Sequence, residues 1–492
     1  MKSSAYLLLA LLISGSTATT NAQLTGVIPP ADKSKWSISN NDDWSAPVTP
    51  DQNGNYKIDI KTFKKGMYSL GDIGVVYLEP GYNLIIKKSN QGYQFSGKGS
   101  LENNLIQQIQ VPLNRMNSDS GYGVKFSVLL TEPEKFIPIM DKYKEQALLT
   151  IDKSGNKFFK TLMGEEINYI RLNKIYNWKL FYGLDSTRMD SLKKTLSIPL
   201  AARKKDHTQQ LQNAYLYQFS KKLTAGQKKE VDELLYSGWD MNNELLFKNS
   251  SSYSYAINNR INFGASSGQY KKLRDSLKNP DQVKLLFISK EIANDYIKDY
   301  FLYTTTLSLI KKSKSSAKVE SFYQQYLAST KVPSRLQDIE QAFKNLKATE
   351  KNAVVPDFSY TNPDNQLVSL KSMRGSYVYI DLWATWCAPC IAEIPDLKKL
   401  ELKLKEKNIK FVSISLDAPS EKNKWLSYVK DNDLHGIQLI ADNDFKSEFV
   451  QKFGVNSIPR FLLIGPDGIV IDNDAKRPSN PELQKQLEVL LK

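Results

Sequence analysis

Two cysteines, Cys387 and Cys390, are the residues of this chain best suited to do chemistry. They are the only cysteines among its 492 residues, and they lie three positions apart. A Cys-x-x-Cys pair at a helix start places the first thiol beside unpaired backbone N–H groups and the positive end of the helix. That environment lowers the thiol pKa and favours the thiolate. The spacing therefore predicts an exposed nucleophile at Cys387 and a resolving thiol at Cys390.

A zinc site is the alternative chemistry for such a pair. Structural zinc takes four Cys or His ligands. The chain has two histidines, His207 and His435, and neither has the spacing of a metal ligand. The sequence therefore favours thiol chemistry with no metal and no other cofactor, and both histidines are interpreted as surface or boundary residues.

The elements that must position the pair are a strand before it and a helix after it. Residues 377–380 form a β-branched and aromatic run, which is typical of a strand. Residues 392–404 have a helical pattern that Pro395 is expected to kink near its start. From Pro356 onward strands and helices alternate, and a β-hairpin over 461–471 follows. This order predicts a mixed sheet with helices on its faces.

The segment from Asp381 to Cys390 resembles the active-site segment of thioredoxins. Residues from about 356 to 492 resemble the TlpA-like branch of exported thioredoxin-fold oxidoreductases, which is related to the AhpC/TSA family. The motifs that carry the resemblance are Trp-Ala-Thr-Trp-Cys-Ala-Pro-Cys, Pro356-Asp357-Phe358, Gly375 and Ile458-Pro459. It implies a C-terminal α/β thioredoxin-like fold and a protein-disulfide oxidoreductase activity.

The resemblance also implies catalytic roles for two acids. Asp381 stands where thioredoxin relatives have a buried acid that assists proton transfer at the resolving thiol, and burial raises a carboxyl pKa in a way that suits this role. Glu393 stands where TlpA-like reductases linked to cytochrome c maturation often carry a glutamate that tunes thiol acidity. The competing interpretations are an exposed aspartate at a strand end and an exposed glutamate on a helix.

Pro459 is predicted to be a cis proline opposite the cysteines. In the family this cis peptide exposes backbone that pairs with an extended substrate strand, and X–Pro bonds reach the cis form at low cost. A trans proline that opens the next strand is the alternative. Arg460 follows, where many relatives have threonine. The predicted substrate-binding residues are Trp386, Ala388, Pro389, Ile458 and Pro459.

The N-terminal residues have the pattern of an export signal. Lys2 precedes an apolar run over 6–13, and small residues continue to Ala22. The run is shorter than the about 20 residues that span a bilayer. The pattern predicts a signal peptide over 1–22 and a soluble periplasmic protein with no later transmembrane segment. No cysteine lies near the cleavage site, which argues against a lipoprotein. An N-terminal strand or core helix is the alternative.

The rest of the chain divides by pattern into a multidomain architecture. Residues 23–100 are β-rich and are predicted to form a small antiparallel sandwich, with a hairpin at Pro80-Gly81. Residues 101–347 are predicted to be all-α, with a last helix that begins at a Ser334 capping box. Residues 348–355 are predicted to be a linker to the thioredoxin-like domain at 356–492. The N-terminal portion more weakly resembles the accessory regions of long TlpA-like proteins in the Bacteroidetes group.

The charge balance argues against nucleic acid as a partner. The formal net charge is +15, but the lysines are scattered and form no basic block. We interpret the excess as a solvated surface.

Three functions remain open at this point. The first is reduction or isomerisation of disulfides in envelope proteins, with cytochrome c maturation as one setting. Protein disulfides would be the substrates. A membrane-bound electron donor is expected, because no nucleotide-binding motif is present. The second is a thiol peroxidase. The third is a non-enzymatic binding protein in which the cysteine pair is a redox latch.

Overall fold

The computed structural model describes residues 22–27, 37–40, 45–60, 64–89, 92–116, 126–189, 194, 207–277 and 279–492. The described residues form two compact units. One comprises the chain up to Met189 together with Tyr215–Phe263, and the other comprises residues 207–214 and Gly264–Lys492. The predicted domain boundaries at residues 100, 347 and 355 stay predictions. The two compact units are separated at other positions and do not test them.

The first unit contains a β-sandwich. Its described strands form two four-stranded sheets, in the orders β4-β1-β7-β8 and β3-β2-β5-β6. Apolar side chains from both sheets, among them Leu24, Ile38, Leu70 and Leu84, share one core. The predicted sandwich is therefore confirmed. The strands are β1 Ala22–Val27, β2 Ser37–Ser39, β3 Ser45–Pro47, β4 Asn55–Ile60, β5 Gly66–Leu70, β6 Gly74–Leu78, β7 Asn83–Ser89 and β8 Gly92–Lys98.

Two features of the sandwich differ from the predictions. Strands β1 and β7 pair in parallel, with Leu24 beside Leu84, so the sheet is not purely antiparallel. The turn at Pro80-Gly81 exists, since the Tyr82 N–H donates to the Glu79 carbonyl at 3.0 Å. However, β6 and β7 lie in different sheets, so the turn is a crossover rather than a hairpin. The predicted leader ends at Ala22, which begins β1, and its other residues lie outside the described part of the chain.

Helix α1, Ser100–Met116, covers one edge of each sheet through two successive asparagines. The Asn103 amide accepts from the Tyr77 N–H and donates to the Tyr77 carbonyl of β6, both at 2.9 Å. The Asn104 amide makes the same pair of bonds to Phe95 of β8, at 2.9 and 2.8 Å. Each side chain therefore satisfies backbone groups that an edge strand would otherwise leave unpaired.

Substitution of Asn103 tests this edge closure. Asn103→Leu is expected to lower the free energy of unfolding of the first unit by about 3 kcal/mol, because a buried N–H and a buried carbonyl lose their partner. Urea unfolding of the full chain measures the change. Gln108→Leu, on the exposed face of the same helix, is the matched control. Equal losses in both variants would contradict this account.

Helices α2 to α8 follow in the chain. The apolar residues Leu162, Met163 and Ile167, at helical spacing, are buried in α4. None of the helices in the described part of the chain combines the length and apolar character needed to span a bilayer. The helices are α2 Phe126–Leu129, α3 Pro133–Ile151, α4 Lys157–Phe181, α5 His207–Tyr217, α6 Ala225–Tyr236, α7 Glu244–Asn249 and α8 Ser251–Gly264.

The second unit begins with five more helices. In the last of them Ile339, Phe343 and Leu346 are buried on one face. The predicted capping box at Ser334 is wrong, because Pro333 takes the first helical position and no side chain caps the helix. The helices are α9 Gly268–Leu277, α10 Pro280–Glu291, α11 Asp295–Lys312, α12 Glu320–Ser329 and α13 Pro333–Thr349.

The C-terminal part of this unit is a seven-stranded mixed sheet in the order β10-β9-β13-β12-β11-β14-β15. Strands β11, β12 and β13 are parallel, and β14 and β15 form the predicted antiparallel hairpin. The predicted thioredoxin-like α/β fold is therefore confirmed. The strands are β9 Ser359–Thr361, β10 Leu367–Ser369, β11 Tyr377–Trp383, β12 Ile409–Ser415, β13 Ile437–Ile440, β14 Arg460–Ile464 and β15 Val470–Asp472.

Helices pack on both faces of this sheet. One face carries Ile380, Leu382 and Val412 against Phe449 and Val450. The other carries Tyr379 and Phe461 against leucines of the two helices α15 and α18. The helices are α14 Ala388–Ile391, α15 Ile394–Lys403, α16 Lys422–Asp431, α17 Glu448–Lys452 and α18 Pro481–Leu490.

The segment that enters this domain pairs with the edge of the sheet. Val354 forms an antiparallel bridge with Ile469 beside β15. The Asn352 N–H donates to the Val470 carbonyl at 2.9 Å, and the Val470 N–H donates to the Ala353 carbonyl at 2.9 Å. Val355 is buried in the core. The predicted linker is therefore joined to the domain by backbone hydrogen bonds.

Candidate active site

The central strand β11 leads directly into the cysteine segment. Successive side chains of a strand point to opposite faces. Ile380 and Leu382 therefore point to the apolar core, whereas Asp381 and Trp383 point to the face that bears α15. Trp383 packs in one cluster with both cysteines. The strand thus places the Asp381 carboxyl on the same side of the sheet as the cysteine pair.

The cysteines form a disulfide at the start of a helical turn. Cys387 is the N-cap of α14, and its Sγ accepts from the Cys390 N–H at 3.2 Å. Pro389 lies in the first turn, where the missing N–H costs little. The helix is interrupted after Ile391 and resumes at Ile394 with Pro395 in its first turn, as the predicted bend requires.

The predicted exposure of Cys387 is wrong for this disulfide form. The residue is 4% exposed and Cys390 is 2% exposed. Both pack in a cluster with Trp383, Trp425 and Ile440, and this packing covers the sulfur atoms. The helix start keeps its electrostatic property, because the Cys390 N–H still donates to the Cys387 Sγ.

Asp381 is buried rather than exposed at the strand end. Burial, followed by the negative charges of Glu393 and Glu401, raises the pKa of Asp381 from an ordinary value of 3.8 to about 8. Its Oδ1 has no hydrogen-bond partner among the described residues. A buried carboxyl with a pKa near neutral can accept or release a proton at working pH.

Glu401 is a half-buried acid whose pKa is also raised, and the sequence reasoning missed it. Burial raises its pKa to about 7, and Lys398 counteracts this in part. Its Oε2 is buried without a hydrogen-bond partner in the described part of the chain. Its position in α15, four residues after the buried Leu397, is the signal that could have revealed it.

Glu393 is also buried, at 2% exposure, and is not an exposed helical residue. Ser479 donates its N–H and its hydroxyl to the Glu393 carboxylate, both at 3.1 Å. The Arg477 guanidinium lies 3.7 Å away. Glu393 is therefore a fixed negative charge whose effect on Asp381 is to raise its pKa.

Removal of the Glu393 charge tests this electrostatic coupling. In Glu393→Gln the pKa of Asp381 is expected to fall, because one of the negative charges that raise it is gone. The pH profile of the rate of any step that uses Asp381 should then shift to lower pH. Carbon-13 NMR titration of Asp381 measures the shift. Ser479→Ala, which removes a hydrogen bond and keeps the charge, should move the titration less.

The predicted substrate-binding residues adjoin the cysteines in the chain, except for Ile458, which packs against the cysteine cluster, and the following Pro459. The Ile458–Pro459 peptide bond is cis, as predicted, and both residues are half-buried. Trp386 is 53% exposed, and its ring lies 6.3 Å from that of Phe445. Ala388 and Pro389 are exposed. Trp386, Ala388 and Pro389 therefore bring exposed apolar surface next to the cysteine pair.

Arg460 is held by the domain itself. Its Nε and Nη2 donate to the Asn473 carbonyl at 3.0 and 2.6 Å, and its Nε lies 3.5 Å from Asp474. Burial lowers its pKa, and the charges of Asp474 and Asp472 counteract this. The guanidinium is thus engaged by the residues that follow β15.

His435 is exposed, and its Nε2 lies 3.4 Å from the Asp433 carboxylate. The His207 side chain is outside the part of the chain that the structure describes. Across the described ranges no three His, Cys, Asp or Glu side chains are grouped so that they could hold a metal ion.

A buried carboxylate, Asp417, binds the segment before Cys387, and the sequence reasoning missed it as well. Asp417 is 0% exposed and follows β12 by two residues. It accepts from the Thr385 N–H at 3.0 Å and from the Thr385 hydroxyl at 2.7 Å. The Ser415 hydroxyl donates to it at 2.6 Å. An aspartate just after a buried strand was the available signal, but its partner lies 32 positions earlier.

The fold and the site together define a thioredoxin-like domain with a dithiol–disulfide pair, the class of the thiol–disulfide oxidoreductases. The AhpC/TSA family profile matches residues 352–473. The thiol–disulfide oxidoreductase ResA of Bacillus thuringiensis subsp. konkukian is 32% identical over 133 residues, which are 27% of this chain and 74% of that protein. The chain belongs to the AhpC/TSA family through this domain.

Two solved structures are similar to the same region. A candidate thiol–disulfide oxidoreductase from Bacteroides vulgatus is 42% identical and matches 27% of this chain and 86% of that one, with a TM-score of 0.26. A thiol–disulfide oxidoreductase from Bacteroides fragilis is 26% identical and matches 28% and 99% of the two chains, with a TM-score of 0.26.

Proposed function

We propose that this protein reduces or isomerises disulfides of envelope proteins through Cys387 and Cys390. The observation that carries the proposal is the cysteine pair at a helix start, with the Cys387 Sγ 3.2 Å from the Cys390 nitrogen. The name of the ResA relatives, thiol–disulfide oxidoreductase, supports the same chemistry.

The proposed reaction has two exchange steps. The Cys387 thiolate attacks one sulfur of a substrate disulfide, and the other substrate sulfur leaves as a thiolate. The Cys390 thiolate then attacks the Cys387 sulfur of the mixed disulfide. This closes the Cys387–Cys390 disulfide and releases the second substrate thiolate, so two electrons pass to the substrate. The ionised form of Asp381 is proposed to take the Cys390 proton. With a pKa of about 8 this form is a minority at neutral pH, but its basicity is close to that of a thiolate, as proton exchange with a thiol requires.

The surface around the pair supports a polypeptide substrate. Trp386 is exposed beside the disulfide, and aromatic side chains with open faces are common anchors at protein interfaces. The exposed Ala388 and Pro389, with Ile458 and Pro459, extend this surface. We propose that an extended segment of the substrate lies here.

The direction of electron flow is proposed from the residues between the cysteines. Ala388-Pro389 lacks the histidine that would stabilise the thiolate and make the pair a stronger oxidant. We therefore favour reduction, with electrons from a membrane-bound donor, in the periplasm after removal of a leader over 1–22. Maturation of c-type cytochromes is one process that needs such a reductant. The protein is proposed to work without a metal or cofactor.

Trapping tests the proposed function. Cys390→Ser, expressed with its leader in cells, is expected to accumulate mixed disulfides with envelope proteins at Cys387. The double variant Cys387→Ser/Cys390→Ser is the control and should capture none. Turnover of hydrogen peroxide by the purified chain would instead support a thiol peroxidase. Full biological activity of Cys387→Ser would support a binding protein with a redox latch and contradict the proposal.

A further inference from the structure

The loop that carries the cysteines is tied to the neighbouring strand end by a buried charge. Strands β11 and β12 are parallel, with Trp383 beside Ser415, so the segments that follow them emerge at the same edge of the sheet. The Leu416 N–H continues the ladder to the Trp383 carbonyl at 2.7 Å. Asp417 is the next residue, and its carboxylate therefore faces the Thr385 N–H, two residues before Cys387.

Three groups in the part of the chain that the structure describes donate to the Asp417 carboxylate. The donors are the N–H and hydroxyl of Thr385 and the hydroxyl of Ser415. The Ser415 hydroxyl also accepts from the Asp417 N–H at 3.1 Å, which fixes the orientation of the aspartate. A fully buried carboxylate that accepts several hydrogen bonds holds a defined loop conformation.

We propose that Asp417 positions the redox loop and that its fixed negative charge makes the Cys387–Cys390 pair a stronger reductant. This inference rests on the proposed function. The oxidised pair is uncharged, whereas the reduced pair carries a thiolate at Cys387. A second negative charge nearby therefore disfavours the reduced form and favours transfer of two electrons to a substrate disulfide, which yields the Cys387–Cys390 disulfide and two substrate thiols.

Other charges near the pair do not replace Asp417. Asp381 points from β11, and its raised pKa keeps it largely uncharged at neutral pH. Glu393 accepts from Ser479 and lies 3.7 Å from the half-exposed Arg477 guanidinium, which compensates part of its negative charge. Tyr428 of α16 also packs against the cysteine cluster, and because burial raises its pKa it is uncharged at neutral pH.

Asp417→Asn tests the charge, since the amide keeps the shape and one acceptor. The equilibrium constant of the reduced pair against glutathione disulfide is expected to fall about tenfold, which is about 30 mV toward a more oxidising potential. The pKa of the Cys387 thiol should fall in the same variant. Asp442→Asn removes an exposed charge that follows β13 in the same domain, and solvent screening should leave both values unchanged. A folded Asp417→Asn protein with the potential of the unmodified chain would overturn the inference.

Thr385 supplies a second test that does not depend on the folding of Asp417→Asn. Thr385→Val removes one hydrogen bond to the carboxylate with little change in size. Cys387 is then held less firmly at the helix start that stabilises its thiolate, so alkylation of reduced Cys387 should slow about fivefold. Thr385→Ser keeps the hydroxyl and should restore the rate. Equal rates in all three proteins would overturn the positioning role. These measurements need no client protein, so a failure of envelope-protein trapping would remain a separate result about the proposed function.

Discussion

Cys387→Ser is expected to lower the rate of disulfide reduction by at least about a thousandfold, because the attacking sulfur is lost. Cys390→Ser should retain the first attack and stop at the mixed disulfide, because no second thiol displaces the substrate. The two variants therefore separate the two exchange steps. Stopped-flow oxidation of the reduced chain by a model disulfide, followed by mass spectrometry, measures each step.

Ala392→Ser is a suitable control for these variants. Ala392 is exposed in the break between α14 and α15, two residues from Cys390. Ala392→Ser introduces a hydroxyl there and leaves both thiols in place. Its rate should match that of the unmodified protein. Comparable rates for Cys387→Ser and Ala392→Ser would remove the cysteine pair from the mechanism.

Asp381→Asn is expected to make the protein more stable and less active. The folded-state pKa of Asp381, about 8, lies above its ordinary value of 3.8, so the folded chain holds a proton that the unfolded chain releases. Stability from this group is complete below about pH 4 and declines as the pH rises toward 8. An uncharged amide avoids the decline, and the free energy of unfolding at pH 7 should rise by on the order of 4 kcal/mol.

The same substitution should slow resolution of the mixed disulfide about a hundredfold at neutral pH, because the acceptor of the Cys390 proton is gone. Chemical unfolding from pH 4 to 8 and single-turnover kinetics measure the two effects. The stability gain should vanish at pH 4. Asp364→Asn, in the exposed turn between β9 and β10, should change neither quantity. A stability difference that is constant with pH would contradict the raised pKa.

Local sequence rules predicted the parts of the site that depend on neighbours in the chain. The strand before Cys387, the helical turn after it and the bend at Pro395 each follow from the residues within one turn. The burial of Asp381 was also predictable, because the side chains on either side of it are large and apolar. The AhpC/TSA relationship of the domain was carried by the same short motifs.

Features that depend on distant partners were not predictable. The cover over Cys387 comes from Trp425 and Ile440, which follow it by several dozen residues. The Asp417 contact joins two strand ends that only the sheet brings together. The turn at Pro80-Gly81 was assigned to a hairpin because the pattern shows a turn but not the partner of each strand. In the structure β7 pairs with β1, which lies far upstream in the chain, and not with the preceding strand β6.

The backbone pairing between residues 352–355 and β15 has a consequence for how the redox domain can be separated from its neighbours. A truncated protein that begins at Pro356 would lose the bridge at Val354 and the backbone hydrogen bonds of Val470. The β15 edge of the sheet would then have unpaired backbone N–H and carbonyl groups. Exposed sheet edges pair with strands of other molecules, so such a fragment is prone to self-association. The segment over residues 352–355 thus both connects the helical region to the thioredoxin-like domain and protects the edge of that domain's sheet from aggregation.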